Sequence, residues 1–240
     1  MTEPSQEAAL SRGTQALWGL AAPGRRGPKP AMTVHSIAAA GIAVADAEGI
    51  DAVTMAAVAG RLGYSTMALY RHVESREDLL VVMADEALGP APDLGRRRTW
   101  RSRITEWAVT EAGQLMAHPW YLDVRTGSPP LGPQHLAWMD AGMGILQQAG
   151  LPPQRAASGL LLVDGYVRST IGFALQYGAS PAADAWADRL RLVVTAESLP
   201  AVSAALEAGT FEDEPEDEFP DSEFLFGLGV LLDGLEGLLP

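Results

Sequence analysis

The stretch from Thr54 to Leu80, TMAAVAGRLGYSTMALYRHVESREDLL, constrains this chain more than any other. Met55, Val58, Ala59 and Leu62 fall at i, i+3, i+4 and i+7, which puts them on one buried face of a two-turn helix. Thr54 precedes that run and can accept from the free N–H groups at its start. Gly63 follows Leu62, where a left-handed residue ends a helix without a Cβ penalty. Ser65 is then positioned to cap a second short helix, Ser65–His72, in which Leu69 and Val73 point inward. Ser75 starts a third helix, with Asp78 as its expected capping-box partner.

That second helix leaves Thr66, Met67, Ala68, Tyr70, Arg71 and His72 facing out. Small residues in its first turn would let it approach base edges in a major groove, while Tyr70 and His72 reach phosphates. Arg76, at the start of the third helix, can join that helix's N-terminal amides in gripping a phosphate. A three-helix packing unit with no ligand satisfies the same spacing, because two helices around a glycine turn are a weak signal.

The segment from Thr33 to Leu88 resembles the DNA-binding domain of the TetR family of transcriptional repressors. The resemblance rests on ADAEG (45–49), LGYSTMALYRHV (62–73) and SREDLL (75–80) at these separations. It implies a recognition helix over Ser65–His72 with Thr66, Met67 and Ala68 nearest the bases. It also implies backbone contacts from Thr33, Thr54, Tyr70 and His72.

Upstream, residues 32–89 form the helix-turn-helix domain and 1–31 an extension. Helix one is expected from about Thr33 to Glu48, with Ile37, Ala40, Gly41, Val44 and Ala45 buried and Gly49 as its stop. Glu7 to Leu20 has the pattern of a short helix. Residues 23–30, PGRRGPKP, hold three prolines and two glycines and cannot be helical. Arg25, Arg26 and Lys29 in that segment suit either an arm laid in the minor groove or a solvated linker.

Gly89 to Gly95 breaks the chain, and residues 96–240 are expected to form a helical ligand-binding and dimerisation domain. The arginines at 96, 97, 98, 101 and 103 fit a second DNA patch or a solvated helix start. Helices are predicted at about 99–117, 119–126, 132–149, 153–177, 183–199 and 222–239, with no strand pattern, so the fold class is all-α. The segments 153–177 and 224–239 are too apolar for one monomer. Leu161, Val163, Phe173, Phe224, Leu228, Leu231 and Leu235 are expected in a four-helix interface between two copies. Together with HPWYLDVRTGSPPLGP (118–133), these segments resemble the ligand-binding domain of tetracycline-repressor-type regulators.

Trp107, Met116, Trp120, Trp138, Met143, Tyr166 and Phe173 are candidates to line a cavity for an apolar small molecule, or else form an ordinary core. The resemblance favours a pocket. It also puts Arg125 where tetracycline repressors have a metal-binding histidine, and a guanidinium has no lone pair to offer Mg²⁺. A metal–tetracycline chelate is therefore not the expected effector, and no metal or cofactor is expected.

Net charge is −13, an unusual balance for a DNA binder. Eight acids between Glu212 and Glu223 account for most of it and leave −5 without them. With no cysteine the chain has no disulfide, thiolate nucleophile or cysteine zinc site. His35, His72, His118 and His135 show no metal-ligand spacing, and no GxSxG, Walker loop or GxGxxG appears after a strand. Asp164 and Arg168, four apart, read as a salt bridge rather than an acid/base pair. With no secretory signal and no stretch near the roughly 20 apolar residues that span a bilayer, the chain reads as a cytoplasmic non-enzyme. The expected function is a homodimeric repressor that binds a near-palindromic double-stranded operator and is released by a small apolar or aromatic molecule. The rival is a helical ligand-binding or interaction protein that does not recognise an operator.

Overall fold

The computed structural model describes residues 10–20, 32–95, 98–127, 129–177, 186–211 and 219–240. Among them every regular element is helical: α1 (Arg12–Leu17), α2 (Val34–Glu48), α3 (Met55–Leu62), α4 (Thr66–Leu69), α5 (Arg76–Leu88), α6 (Trp100–Ala117), α7 (Pro133–Gln148), α8 (Pro153–Tyr177), α9 (Trp186–Val193), α10 (Pro200–Glu207) and α11 (Ser222–Glu236). Short 3-10 turns occupy Ile50–Ala52 and Pro119–Asp123. The second of these replaces the expected α-helix at 119–126. The helix expected over 183–199 closes at Val193, and α10 begins at Pro200, a residue that suits the first position of a helix rather than its end. Part of that expected helix, 183–185, lies outside the described residues.

The helices form two compact units, residues 1–161 with 239–240 and residues 162–238. The break expected at 89–95 does not part the first unit, because α5 packs on α6 and α7 as well as on α2. The core of this unit begins with Ile37, Val58, Leu69, Val73, Leu79 and Met83, all fully buried. Thr33 starts α2 with the box closed in both directions: its hydroxyl accepts from Ser36 N, and Ser36 Oγ accepts from Thr33 N. Further along, Trp107 and Trp138 meet edge to face at 5.5 Å. Trp107 Nε1 donates to the Trp138 carbonyl and Trp138 Nε1 to the Gly89 carbonyl, so both indoles are satisfied within the core.

In the second unit Val163, Val167 and Ile171 of α8 are buried, as are Phe224, Leu228, Leu232 and Leu235 of α11. Tyr166 packs against Phe224 at 5.6 Å and donates its hydroxyl to the Phe224 carbonyl at 2.9 Å. This corrects the expected subunit interface. Val163, Phe224, Leu228 and Leu235 lie inside the protomer, and Leu231 is half-buried. Of the expected residues only Leu161 and Phe173 are exposed; the outward apolar rows are Leu161, Leu162 and Phe173 on α8 and Leu225, Phe226 and Val230 on α11. Asp164 and Arg168 form the expected ion pair at 2.9 Å.

Among the described residues, no helix is long and apolar enough to cross a membrane. None of their His, Asp and Glu side chains group in threes that suit a metal ion.

Candidate nucleic-acid interface

The turn between α3 and α4 is built as the residues dictate. Thr54 Oγ1 accepts from Ala57 N at 3.1 Å to start α3. Gly63 ends α3 at φ 73° and ψ 26°, a conformation that costs a Cβ-bearing residue but not glycine. Helix α4 is a single turn, extended by bonds from Tyr70 N to Thr66 O and from His72 N to Leu69 O. Ser65 holds the N-cap position, but its side chain makes no capping bond, contrary to expectation. The orientation of α4 is therefore set by burial of Leu69 and Val73 rather than by its cap.

The residues expected to face outward from α4 do so to different degrees. Met67 is 71% exposed, Tyr70 and Arg71 are exposed, and Thr66, Ala68 and His72 are half-buried. Thr33 and Thr54 are exposed at the starts of α2 and α3. Their oxygens serve as helix caps, which uses each hydroxyl as an acceptor and not as a donor. Burial first, then the Arg12 and Arg71 cations, hold the His72 imidazole below its ordinary value.

Arg76 departs from its expected role. Its Nε donates to Val53 O at 2.7 Å and its Nη2 to Ile50 O at 2.8 Å, so the guanidinium braces the turn before α3 instead of reaching outward. The expected capping box at α5 is also displaced. Ser75 Oγ accepts from Asp78 N at 3.1 Å, but the Asp78 carboxylate accepts from Glu74 N rather than from Ser75 N. Arg25, Arg26 and Lys29 lie outside the described residues, as do Arg96 and Arg97. Arg98 pairs with Glu106, and Arg103 Nη1 donates to Gln148 Oε1 at 2.9 Å, which gives these two cations protein partners.

The aromatic residues proposed for a pocket have diverse surroundings. Trp107 and Trp138 are the core pair already described. Met116 and Met143 are half-buried, and Tyr166 is held by α11. Phe173 is 68% exposed and packs against Tyr177 with ring centroids 4.8 Å apart and the planes tilted by 49°. Trp120 is buried and donates Nε1 to Asp46 Oδ1 on α2 at 2.6 Å, and His118 Nδ1 meets the same oxygen at 2.8 Å.

A second carboxylate, Asp85 on α5, is 1% exposed. It accepts from His135 N at 3.0 Å and Gln134 N at 3.3 Å in the first turn of α7, and lies 3.4 Å from His135 Nδ1. His135 Nε2 in turn sits 2.5 Å from the Tyr121 hydroxyl. His135 is held between Asp85 on one ring nitrogen and Tyr121 on the other. Asp46 and Asp85 thus bolt the helix-turn-helix bundle to the 119–123 turn and to α7. Neither acid stands out in the sequence as a site residue, although Asp85 directly follows the apolar run Leu79 to Ala84 in α5, where an unpaired acid would be costly.

A one-turn recognition helix presented by a three-helix bundle, bolted to further helices, defines a helix-turn-helix DNA-binding regulator. The chain belongs to the tetR family of bacterial regulatory proteins. Residues 37–83 match the family described as "Bacterial regulatory proteins, tetR family", and residues 91–239 match "Tetracyclin repressor-like, C-terminal domain". It is 33% identical over 250 residues to the HTH-type transcriptional repressor DrrR1 of Streptomyces coeruleorubidus, covering 99% of this chain and 90% of that protein. It is 30% identical over 190 residues to the tetracycline repressor protein class A from transposon 1721 of Escherichia coli, covering 78% and 82%. Among solved structures, Streptomyces coelicolor ActR in complex with actinorhodin is similar with a TM-score of 0.74 and 25% identity, covering 88% of this chain and 98% of that one.

Proposed function

We propose that this TetR-family regulator is a homodimeric repressor that reads a near-palindromic operator and releases it on binding a small apolar or aromatic molecule. The observation that carries the DNA reading is the division of labour on α4. Leu69 is buried while Met67, Tyr70 and Arg71 face out beside half-buried His72, so the helix is held from one side and presented on the other. Thr66, Met67 and Ala68 read base edges, while Thr33, Thr54, Tyr70, Arg71 and His72 contact the sugar-phosphate backbone. A two-fold dimer places two such helices in successive major grooves about one turn apart.

Two copies associate through the exposed apolar rows of α8 and α11, which one protomer leaves uncovered. A small-molecule effector is supported by the ActR complex with actinorhodin. Arg125 stands exposed after the 119–123 turn and cannot ligate a metal, which favours an effector bound without one. The effector acts only through its difference in affinity between the DNA-competent and DNA-incompetent arrangements.

The test is selection of bound sequences from a random DNA pool, repeated with Met67→Ala and Tyr70→Phe variants. The Met67 variant should change the preferred half-site, and the Tyr70 variant should keep the preference with weaker binding. A pool that yields no two-fold consensus for the wild type would overturn the operator reading.

A further inference from the structure

Helix α1 lies outside both family matches and has six residues, too few for a helix to persist in water by itself. Its order comes from docking at three points. Gly13 N donates to Asp78 Oδ2 at 3.0 Å, beside the bond from Glu74 N to the same oxygen at 2.8 Å. Trp18 Nε1 donates to the Leu131 carbonyl at 2.8 Å. Arg12 Nη1 donates to the Tyr70 carbonyl at 2.6 Å, at the C-terminal end of the recognition helix. Gly13 is required where it stands: a Cβ there would come within 2.6 Å of both Asp78 Oδ1 and Val82 Cγ2.

This docking sets a half-exposed guanidinium beside the residues that contact phosphate. We propose that Arg12 is a further operator-backbone contact, and that α1, seated through Gly13 on Asp78, is the element that positions it. The inference rests on α4 being the recognition helix. One nitrogen of Arg12 is held by the Tyr70 carbonyl, and a guanidinium has five N–H donors, so others are left for a phosphate oxygen. The Arg12 charge reaches the recognition surface, since it is among the causes that depress the His72 pKa. Glu74 lies 3.9 Å from Arg12 Nε and competes with phosphate for it. A phosphate contact carries no base information, so Arg12 should add affinity and salt dependence without changing preference.

The test measures binding of the full chain to its selected operator across a salt series. Arg12→Gln should bind about tenfold more weakly at moderate salt. Its plot of log K against log salt should be shallower by about 0.9 for each phosphate that Arg12 no longer neutralises. Glu74→Gln should strengthen binding, and Gly13→Val, which unseats α1, should reproduce the Arg12→Gln decline in affinity and slope. Tyr70→Phe serves as the control for the recognition helix itself. If Arg12→Gln matches wild type in affinity and slope while Tyr70→Phe weakens binding, the proposal is overturned and the operator reading stands. Weaker binding at unchanged slope would also overturn it, by reducing Arg12 to a packing residue. If neither substitution matters, both readings fall.

Discussion

Asp85→Asn isolates the bolt between α5 and α7. The side chain keeps its shape but loses its charge, and one of its two acceptor oxygens becomes an NH2 group. Asp85 Oδ1 faces His135 N and Oδ2 faces Gln134 N, so either orientation of the amide sets a donor against a donor. A hydrogen bond to a charged group contributes about 1.5–3 kcal/mol. The first turn of α7 also loses a negative partner for its dipole, worth about 0.3–1 kcal/mol. The expected loss is therefore on the order of 2–4 kcal/mol, with no solvent to compensate a side chain that is 1% exposed. For chains of about this size, 1 kcal/mol moves the midpoint by roughly 2–4 °C, which predicts a fall of about 5–15 °C. Helical circular dichroism followed through thermal unfolding, at one fixed protein concentration because assembly shifts the midpoint, measures it. A midpoint within about a degree of wild type would refute the reasoning, since the carboxylate would then contribute nothing that an amide lacks.

Three further outcomes are expected. The His72 imidazole is held below its ordinary value in the free protein, and a phosphate beside it would raise its pKa in the complex. The added affinity is then full below the free-state pKa and lost as pH rises through the pKa of the complex. Operator binding should strengthen as pH falls toward and below 6.5, by at most about tenfold per pH unit for each proton taken up, and His72→Ala should flatten this profile in a pH series of binding isotherms. Phe226→Asp, on the outward row of α11 where Phe226 is 75% exposed, should give monomers in sedimentation and abolish operator binding together; a dimeric variant would refute that placement of the interface. An aromatic effector should change tryptophan emission and release the operator in the presence of a metal chelator. Reciprocity requires operator DNA to weaken that effector by the same factor, roughly 5–150-fold, and equal affinity with and without operator would show that its site is no switch.

The helix-turn-helix was legible because its signals are local. Met55, Val58 and Ala59 are buried as their spacing requires, Thr54 caps α3 through its own side chain, and Gly63 needs its positive φ whatever surrounds it. The inward and outward rows of α11 were less legible for a physical reason. In FLFGLGVLLDGLEGLL both sides of the helix are apolar, so periodicity cannot distinguish Phe224, Leu228, Leu232 and Leu235, which face inward, from Phe226 and Val230, which do not. Arg76, expected to reach outward, braces the carbonyls of Val53 and Ile50, and Arg12, which no local pattern singles out, reaches the Tyr70 carbonyl at the end of α4. Both outcomes depend on tertiary neighbours more than 20 residues away in sequence. The carboxylates of Asp46 and Asp85 are long-range in the same way, and only the apolar context of Asp85 hinted that it needed a partner.

The single-turn length of α4 bears on how such a regulator can diversify. Leu69, with Val73 just beyond, anchors the element, whereas Met67 at its centre projects into solvent and packs against little. Substitutions at Met67 are accordingly almost free of folding cost, since exposed positions away from caps and cores usually shift stability by no more than about 0.5 kcal/mol. Position 67 can therefore vary while the hydrophobic lock at Leu69 and Val73 stays closed. On the proposed operator reading, specificity and foldability are carried by different residues of α4, so a library varied at position 67 should return stable proteins with divergent targets.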